Sequence, residues 1–503
     1  MKKEKLTFTK YLLIILISYG AYSCSSNSPD GSDDDDPVIV DNNDDDGGDD
    51  GDDGDGDNGD NIEYTTVNTI QEFIGTLNQN DVNIKLAPGT YRFGPDDITS
   101  GLIPYYEMFV FRGNNSNYDF TDVKFEFETE LWSSYGSFDI RQLRLLGDNI
   151  TLKNLTIEDI GMEAPTKRAQ NILLDGTHNT IEGFTITARG SYPYGYGDVF
   201  GKGGNSVINH RKHSVLLIRG ENNTLKNTKI YSRTYGHVVF IQGGKDVLIE
   251  DCYVEGDAMR TTDDILAEVG TGTPADNVNF LTVWGYTLPP GYMVSMQEAG
   301  FRSYASAEHY SGNGETSTTE NVTIRNCTAK RVRSGFNLVF GGGTMIMENC
   351  TSIENEQGFS IQSGGQIINC KSDAKYGTAL TYAYDSDNDI SATIELTNND
   401  GSYGPHPIAY IGGGSGQNIT FTSNETNVPQ DRYIQLGGAK GSIRHLEGAN
   451  SGQDNQTIRS STIRNNTNFP VKLTSSATGN TIVSCGTVTD EGTTNSITQT
   501  TCD

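Results

Sequence analysis

The sequence is poor in basic residues. Its 503 residues include 36 Lys and Arg against 66 Asp and Glu, which gives a formal net charge of −30 at pH 7. Such a chain has no overall positive field to attract phosphate, so a general nucleic-acid-binding function is excluded. No convincing glycine-rich phosphate loop, dinucleotide-binding fingerprint or serine-hydrolase elbow is present either. The chain does have 58 Gly and abundant Asn and Thr, which favour strands and tight turns over helices.

Long apolar runs are missing as well. Only 34% of residues are apolar, and the run 11–17 is too short to span a bilayer as a stable helix. Three lysines within the first five residues precede this run, and small residues and Cys24 follow it. The pattern resembles a bacterial lipoprotein signal, which predicts a signal peptide over 1–23, a lipidated Cys24 and an exported outer-membrane lipoprotein at the cell surface. Tyr22 departs from that signal and leaves a plain secretory signal as the alternative.

The segment 24–61 is rich in Asp, Ser, Asn and Gly and contains no basic residue. It cannot bury a core and it repels itself, so we expect a disordered tether between the lipidated Cys24 and the rest of the chain. Asp33 to Asp36 resemble the acidic export tag of Bacteroidota surface lipoproteins. A calcium-binding low-complexity tail is the alternative.

The remainder of the chain is a repeat. A segment of the type Asn-x-Thr-Ile/Leu-x-Asn recurs, and its central apolar residues are Leu152, Ile181, Leu225, Ile249, Ile324, Met347, Ile367 and Ile482. Neighbouring copies lie about 20–24 residues apart where nothing is inserted, a period that with an Asn or Gly corner predicts stacked β-coils. Leucine-rich repeats have a similar period but need a Leu-rich consensus, which is absent.

Five cysteines share one position in this repeat, three residues after the central apolar residue. They are Cys252, Cys327, Cys350, Cys370 and Cys485. The shared position predicts an inward column of buried thiols, while disulfide staples are the alternative in an exported protein. Cys502 lies outside the repeat, and it could pair with Cys485.

The start of the repeat region carries a second signature. Ile70, Phe73 and Leu77 recur at helical spacing within 69–77, and a strand pattern follows at 84–91. Together with the coils, this resembles the capping helix and first strand of right-handed parallel β-helix proteins, the pectin-lyase-like superfamily. The resemblance implies an all-β fold, a single right-handed parallel β-helix over 62–486 with a short N-terminal capping helix, followed by a C-terminal tail at 487–503. Lyases, hydrolases, epimerases and binding proteins share this fold, so it does not specify an activity.

A second strand is predicted in each coil. Copies begin at His213, His237 and Asp264, with later ones at 335–341 and 358–364. Period-2 alternation sends Val238 and Phe240 inward, so the two His and Asp264 are expected to project outward in one column, ~4.8 Å apart. Glu268 is expected on the same face.

Basic residues recur in the turns before these strands. They are Arg189, Arg233, Arg260 and Arg333, joined by His210 and Lys212 directly before His213. Such a column on an acidic chain predicts a substrate-binding or catalytic face. Neutralisation of nearby Asp and Glu is the alternative explanation.

An inserted loop is predicted at 271–320, where the repeat is interrupted. It carries many aromatic residues and Arg302, and long structured loops in compact folds are often functional. Trp284 and Tyr292 are predicted to contact sugar rings and Arg302 to bind a carboxylate or sulfate. The alternative is a loop whose aromatic residues only pack onto the helix flank.

These residue types suit β-elimination on a uronic acid, which requires a group that neutralises the carboxylate, a base and an acid. Arg233 or Arg260 is predicted to pair with the carboxylate, while His213, His237 or Lys212 removes the C5 proton. Tyr235 or the other His would protonate the leaving oxygen. Some alginate and chondroitin lyases of this fold use a Lys and an Arg on successive coils, and Lys212 and Arg233 resemble such a pair. The expected function is therefore degradation of an acidic polysaccharide or oligosaccharide, with contact to the membrane through the lipid anchor only.

Three other functions stay open at this stage. The same chemistry could expel water from a terminal uronic acid, as an oligosaccharide dehydratase does. An inverting hydrolase would use two carboxylates, for which Asp263, Asp264, Glu268 and Glu298 are the candidates. A surface glycan-binding lipoprotein would need no catalysis. No cofactor is required by the elimination chemistry, and Asp263 and Asp264 are the candidates for a Ca²⁺ site because hard carboxylate oxygens suit that ion.

Overall fold

The structure is a computed structural model and describes residues 62–104, 106–135, 139–161, 167–190, 212–268, 270–271, 290–382, 390–397, 407–439 and 455–502. All of them belong to one of the two units into which the chain divides, Asp60–Asp503. The predicted signal peptide, Cys24, the tether, His210 and Trp284 lie outside these residues. Within them, no helix has the length and apolar character that crossing a membrane requires.

Helices are few and short in the described part of the chain. They are α1 Ile70–Thr76, α2 Pro95–Thr99, α3 Leu131–Ser134 and α4 Thr262–Leu266. The helix α1 forms within the predicted range, because the Thr69 side chain caps it by accepting a hydrogen bond from the Glu72 N–H (3.1 Å). Its buried Phe73 packs edge-on against the rings of Tyr118 and Phe120, so α1 covers the first coils.

Strands account for most of the described chain. The N-terminal ones are β1 Thr65–Val67, β2 Asn83–Leu86, β3 Gly89–Phe93, β4 Glu107–Phe111, β5 Ser116–Asp119, β6 Val123–Glu128, β7 Arg141–Leu145, β8 Ile150–Lys153, β9 Thr156–Ile160, β10 Ala169–Leu174, β11 Thr180–Glu182, β12 Thr185–Gly190, β13 His213–Glu221, β14 Thr224–Lys226 and β15 Lys229–Thr234. The central ones are β16 Val239–Glu250, β17 Tyr253–Glu255, β18 Arg260–Thr261, β19 Met293–Val294, β20 Ala299–Tyr304, β21 Ser306–Glu308, β22 Thr316–Thr318, β23 Glu320–Arg325, β24 Thr328–Lys330, β25 Ser334–Leu338, β26 Gly342–Glu348, β27 Thr351–Ile353, β28 Gln357–Ile361, β29 Gln366–Ser372 and β30 Thr378–Tyr382. The C-terminal ones are β31 Ser391–Leu396, β32 Ala409–Ile411, β33 Gly414–Ser415, β34 Asn418–Thr422, β35 Ile434–Leu436, β36 Gly438–Ala439, β37 Asn455–Gln456, β38 Ile458–Arg459, β39 Thr462–Asn466, β40 Val471–Leu473, β41 Ala477–Thr478, β42 Thr481–Ser484, β43 Val488–Asp490 and β44 Ser496–Gln499.

Three long parallel ladders organise these strands. The first ladder runs β1, β2, β5, β8, β11, β14, the end of β16, β23, β26, β29, β31, β34, β39, β42 and β44. The second ladder runs β3, β6, β9, β12, β15, β17, β24, β27 and the end of β29. The third ladder runs β4, β7, β10, β13, the start of β16, β20, β25, β28, β30, β32, β35, β40 and β43. Up to β29 one turn of chain visits the three ladders in order, and after β29 the chain alternates between the third ladder and the first. This is the arrangement of a single parallel β-helix, so the predicted fold class is confirmed.

The repeat register is confirmed along the first ladder. Leu152 pairs with Ile181, which pairs with Leu225, and Leu225 pairs with Ile249. The column then continues through Ile324, Met347, Ile367, Ala392, Ile419, Ile463 and Ile482. These apolar residues pack inside the helix as one continuous core.

Asn and Asp residues make the corners after the first ladder. The backbone is left-handed, with φ between 50° and 65°, at Asn154, Asn227, Asp251, Asn326, Asn349 and Asn369. These residue types tolerate that conformation better than other L-residues, which explains the recurring Asn of the repeat. The side chains also bond along the axis, since Asn349 Nδ2 donates to Asn326 Oδ1 (3.2 Å).

The cysteine column forms in part as predicted. Cys252, Cys327, Cys350 and Cys370 are buried free thiols, and backbone N–H groups donate from Cys252 to Cys327 Sγ and from Cys350 to Cys370 Sγ (3.4 Å each). Cys485 instead forms a disulfide with Cys502, so its assignment as a thiol is wrong and the alternative pairing is observed.

Two predicted boundaries are wrong. The ladders do not end at 486, because Val471 pairs with Val488 in β43 and Ile482 pairs with Ile497 in β44. The chain leaves the coils after β17 and not at 271, and it returns to the third ladder with β20, where Phe301 pairs with Val239. A second excursion follows at once, the β21–β22 hairpin.

Candidate active site

The two histidines of the predicted outward column do not share a register position. Leu216 of β13 pairs with Val239 of β16, which places Gly236 opposite His213. His237 lies one residue further along, and its N–H donates to Ser214 Oγ (3.2 Å). The two histidines are therefore offset by one register position.

His213 does not project outward, and that prediction is wrong. Its side chain is fully buried, with Nε2 2.8 Å from Asn171 Oδ1. Burial lowers the pKa of this imidazole to about 3, so it is neutral and donates through Nε2 to the amide oxygen. The ring lies against the end of β12, since a Cβ on Gly190 would meet Nδ1 at 1.7 Å.

A buried polar network lies behind His213. Asn171 Nδ2 approaches Asp159 Oδ2 (3.4 Å), and Asp159 also accepts the Arg189 N–H (2.8 Å) and the Gln142 amide (2.5 Å). Burial raises the pKa of Asp159 to about 7, because a desolvated carboxylate is less favourable than the protonated acid. These groups tie the second and third ladders together beneath the site.

The predicted third strand, 264–270, is wrong, because its first residues form the helix α4. Thr261 Oγ1 accepts from the Asp264 N–H (3.0 Å), and Asp264 Oδ2 accepts from the Thr261 N–H (2.9 Å), which makes a capping box. The backbone hydrogen bond from Thr261 lowers the pKa of Asp264. Asp263 and Asp264 are exposed on this helix, and Glu268 after it pairs with Arg260.

The true third strand is β20, and its arrival builds a cluster around His237. His237 Nε2 lies 2.6 Å from the Tyr304 hydroxyl and 3.2 Å from Glu298 Oε2. Lys212 Nζ lies 3.0 Å from the same Glu298 oxygen. His237 and Glu298 are buried, whereas Lys212 and Tyr304 are half-buried and reach toward the outside. Acid, base and charged groups thus meet within hydrogen-bond distance.

The hydrogen bonds of this cluster define what it can do with a proton. The Tyr304 hydroxyl and the Glu298 carboxylate both approach Nε2 of His237. When Nε2 carries no proton it accepts the phenolic O–H, and when it is protonated it donates to one of the two oxygens. The imidazole can therefore take a proton from Tyr304 and return it without moving.

Arg302 lies two residues before Tyr304 on the same face of β20. Its guanidinium carbon is 5.1 Å from the centroid of the Tyr304 ring and 5.2 Å from that of Phe340. Its Nε is buried and has no hydrogen-bond partner, and no carboxylate of the described residues forms an ion pair with it. An arginine held between two aromatic rings and lacking a carboxylate is a ready anion site on a chain this acidic.

Phe240 faces outward, against the prediction. Alternation in β16 sends Val239 and Ile241 into the core, and Phe240 joins Leu173 and Leu217 in a separate cluster against which Tyr304 packs. The apolar floor beside the acid–base cluster is thus built by successive strands of the third ladder.

The other predicted basic residues lie on the opposite side of the same corner. Arg189 pairs in register with Arg233, as the column predicted. Arg233 Nε lies 3.7 Å from Asp257 Oδ1, and Arg189 Nη1 donates to Gly161 O (2.6 Å). Arg333 is half-buried two coils beyond Arg233, where its N–H donates to Gln297 O (3.3 Å). None of these contacts brings Arg189 or Arg233 to the His237 cluster.

Two tyrosines predicted to act on substrate are buried: Tyr235, predicted as a catalytic acid, and Tyr292, predicted to contact a sugar ring. Tyr235 is almost fully enclosed next to Gly236, and Tyr292 is enclosed where its N–H donates to Thr262 Oγ1 (3.1 Å). Tyr292 therefore packs the excursion, contrary to the prediction that it contacts sugar. Among the described residues, no group of three or more His, Cys, Asp or Glu side chains is arranged to hold a metal ion.

Sequence reasoning misses Tyr304 as a site residue, and it proposes Glu298 only as a hydrolase carboxylate and not as the partner of His237. A sequence signal for them exists. The dipeptide Gly-Phe recurs at 300, 335 and 358, and Phe301, Phe336 and Phe359 stack at 5.1 Å intervals inside the helix. Aligning these dipeptides would have placed 299–304 on the third ladder and Arg302 and Tyr304 on its outer face.

The sequence matches no protein-family model and no curated protein. Among solved structures, the fold is similar to a PL6 alginate lyase in complex with a trisaccharide (12% identity, 86% of this chain and 88% of that chain, TM-score 0.45). It is also similar to the A-module of a mannuronan C-5 epimerase from Azotobacter vinelandii (10% identity, 86% and 93%, TM-score 0.37). A third is the catalytic domain of a GH87 α-1,3-glucanase (11% identity, 88% and 69%, TM-score 0.38). At these identities the likeness concerns the fold alone.

Proposed function

We propose that the protein degrades an acidic, uronic-acid-containing polysaccharide or oligosaccharide by β-elimination. The observation that carries the proposal is the placement of Arg302 and Tyr304 on one face of β20, with His237 bonded to the Tyr304 hydroxyl. An anion site lies directly beside an acid–base pair, which is what abstraction of a proton next to a carboxylate requires.

Arg302 is the group proposed to neutralise the substrate carboxylate. Pairing with the guanidinium lowers the charge that builds up on the carboxylate as the C5 proton leaves, and such a positioned donor is worth about 10²–10³-fold in rate. The rings of Tyr304 and Phe340 hold the guanidinium in place before substrate arrives, so little entropy is lost on binding.

Tyr304 and His237 are the proposed acid–base pair. The C5–H bond breaks and its proton passes to the Tyr304 oxygen, whose own proton has moved to His237 Nε2. The C4–O4 bond breaks, a C4–C5 double bond forms, and the departing oxygen receives the proton from Tyr304. Proton transfer to or from a positioned acid or base contributes roughly 10²–10⁴-fold to the rate.

Glu298 and Lys212 are proposed to position His237. The Glu298 carboxylate is nearly fully buried, and its charge is balanced by Lys212 on one side and by the imidazole on the other. A buried carboxylate next to His237 favours the protonated imidazole, which stabilises the state in which Tyr304 has given up its proton.

The test is a panel of acidic polysaccharides, such as alginate, pectate and ulvan, incubated with the protein while the ultraviolet absorbance of a C4–C5 double bond conjugated to a carboxylate is followed. Each substrate is paired with its carboxyl-reduced form, which retains the sugar backbone but has no acidic C5 proton. We expect absorbance to rise with one acidic substrate and not with its reduced form. Saturated products from both forms would contradict elimination.

The product also separates the alternatives. An oligosaccharide dehydratase would use the same groups and release water in place of a sugar, which mass spectrometry distinguishes. A hydrolase would give saturated products and would depend on Asp263, Asp264 or Glu268. In the structure Glu268 is held by Arg260 and both Asp residues lie on the exposed helix α4, an arrangement that supports the elimination chemistry better.

For location, we propose an exported lipoprotein anchored through Cys24, with residues 25–61 as the tether. The support is the sequence pattern of lysines, a short apolar run and small residues before Cys24, followed by the acidic run. A catalytic unit at the end of such a tether would meet polymeric substrate outside the cell.

A further inference from the structure

The outer face of the third ladder offers one side chain per strand. In register these side chains are Val110, Arg144, Leu173, Leu217, Phe240, Arg302, Asn337, Ser360, Thr381, Tyr410, Gln435 and Lys472. We call them the outer row. Neighbouring strands lie ~4.8 Å apart, so a long glycan lying along the helix would contact the members of the outer row in this order.

Only a short stretch of the outer row is open at the acid–base pair. Arg302 and Asn337 are half-buried, whereas Leu217 and Phe240 before them are 6% exposed each. After them Ser360 is 5% exposed and Tyr410 is fully buried. The open stretch therefore lies between the Phe240 and Ser360 strands, which are three strand spacings or ~14 Å apart.

The β21–β22 hairpin closes the N-terminal side. It begins directly after Tyr304, where Gln242 Nε2 donates to Ser306 O (3.0 Å). Between its strands the chain reaches back to β7, since Arg144 Nη2 donates to the Tyr310 carbonyl (3.4 Å). Burial raises the pKa of Tyr310, and Asp148 and Asp175 add to the effect, which places the ring among the residues of these earlier coils. The hairpin thus crosses the ladder on the N-terminal side of Phe240.

From these observations we infer that the site accepts the end of a glycan chain and not its middle. The inference rests on the proposed function and adds the mode of action: about two or three sugar units fit in the ~14 Å between the closed ends. Arg302 holds the acidic group of the reacting unit. Asn337, whose buried Oδ1 has no hydrogen-bond partner in the described part of the chain, contacts a hydroxyl of the neighbouring unit.

The direct test is the dependence of affinity on chain length. Binding of oligogalacturonates and oligoguluronates, from the disaccharide to the octasaccharide, is measured by calorimetry on the Tyr304→Phe variant, in which turnover is slowed. We expect affinity to rise up to the trisaccharide and then to level off. A further rise of tenfold or more between trisaccharide and hexasaccharide overturns the inference.

Two alanine variants of the outer row form a matched pair. Asn337→Ala should weaken binding by about fivefold, the scale of one hydrogen bond, while Lys472→Ala should leave it unchanged. Lys472 belongs to the same row far outside the open stretch, where its Nζ lies over the Tyr433 ring (3.7 Å). A loss of affinity for long oligosaccharides in Lys472→Ala would show that substrate runs along the whole face.

The outcomes separate this inference from the proposed function. If the first unsaturated products have many different chain lengths, the proposed function stands and chain-end action is overturned. A length plateau without unsaturated product from any glycan would overturn elimination and support the chain-end pocket. If none of the oligosaccharides binds, both the proposed function and the chain-end inference are overturned.

Discussion

Replacing Tyr304 with Phe is the cleanest perturbation of the proposed chemistry. The change removes one hydroxyl, which lies 2.6 Å from His237 Nε2, and keeps the ring that packs against Phe240 (centroids 6.2 Å apart) and Arg302. His237 also retains Glu298 as a partner at 3.2 Å. The fold therefore loses a single hydrogen bond, which costs about 1 kcal/mol.

The effect on turnover should be far larger than the effect on stability. If the phenol carries the proton between C5 and the leaving oxygen, kcat falls by roughly 10²–10⁴-fold, or about 3–5 kcal/mol in the barrier. KM should change by less than about threefold, because Arg302 still binds the carboxylate. A loss confined to kcat identifies an interaction made in the transition state.

The assay is initial-rate ultraviolet spectroscopy on the substrate found in the panel, with thermal unfolding recorded for each variant. Tyr231→Phe is the control, since this half-buried tyrosine lies on the second ladder beside Tyr253 and away from His237. The control should keep the wild-type rate. If Tyr304→Phe retains more than a third of wild-type kcat, the proposed role of Tyr304 is refuted.

Four further outcomes are expected. Arg302→Gln should lower kcat/KM by about 10²–10³-fold, the scale of one lost charge-stabilising donor. Arg325→Gln, whose partner is Glu250 on the first ladder, should leave the rate unchanged, and equal rates for the two variants would contradict the carboxylate site. The pKa of His213 is about 3 in the folded protein, below its ordinary value, so His213 contributes stability that is lost as the pH falls from about 6.5 toward 3. The pKa of Asp159 is raised to about 7, so Asp159 contributes stability that is lost as the pH rises from about 4 to 7. Denaturant unfolding should therefore show His213→Gln gaining stability relative to wild type on acidification and Asp159→Asn losing it, each by at most about 1.4 kcal/mol per pH unit, and slopes identical to wild type would refute both assignments. Cys252, Cys327, Cys350 and Cys370 should be inert to a thiol reagent in the native protein, because burial raises the pKa of Cys327 and Cys350, and should react once the protein is unfolded; rapid native labelling would contradict their burial. Cys24→Ser should move the protein from the membrane to the soluble fraction, and unchanged fractionation would exclude the lipid anchor.

The stacked coils were predictable because their sequence pattern repeats. Each coil needs an apolar residue at the same place and a corner that tolerates left-handed backbone, and Ile324, Met347 and Asn326 fulfil both demands at fixed spacing. An error at one position of the repeat does not change the predicted register, because many other copies of the repeat agree on it. The capping helix was predictable for a local reason, since Thr69 and the spacing of Ile70 and Phe73 specify its start and its buried face.

The site was less predictable because it lies where the repeat is irregular. Spacing alone cannot show that His237 lies one register position beyond the residue opposite His213. Both imidazoles are buried, but His213 contacts Asn171 whereas His237 contacts Tyr304. In the segment after Thr261, alternating apolar residues suggested a strand, yet Thr261 and Asp264 form a capping box that was readable as a helix start. That misassignment moved the true strand, with Arg302 and Tyr304, into the predicted loop.

The excursion between β17 and β20 has a consequence for how such a protein changes. Val254 pairs with Ala329 and Val239 with Phe301 as though no chain had been added between β17 and β20, because each strand takes its register from the coil beneath it. The pairing of the coils therefore does not depend on the length of the segment 256–298. Glu298, Arg302 and Tyr304 lie at or just after the point where that segment returns to the third ladder. Segments exchanged here by recombination or by design would change Glu298 and the surroundings of the acid–base pair without requiring new coils, which makes this junction the natural place to graft a different specificity.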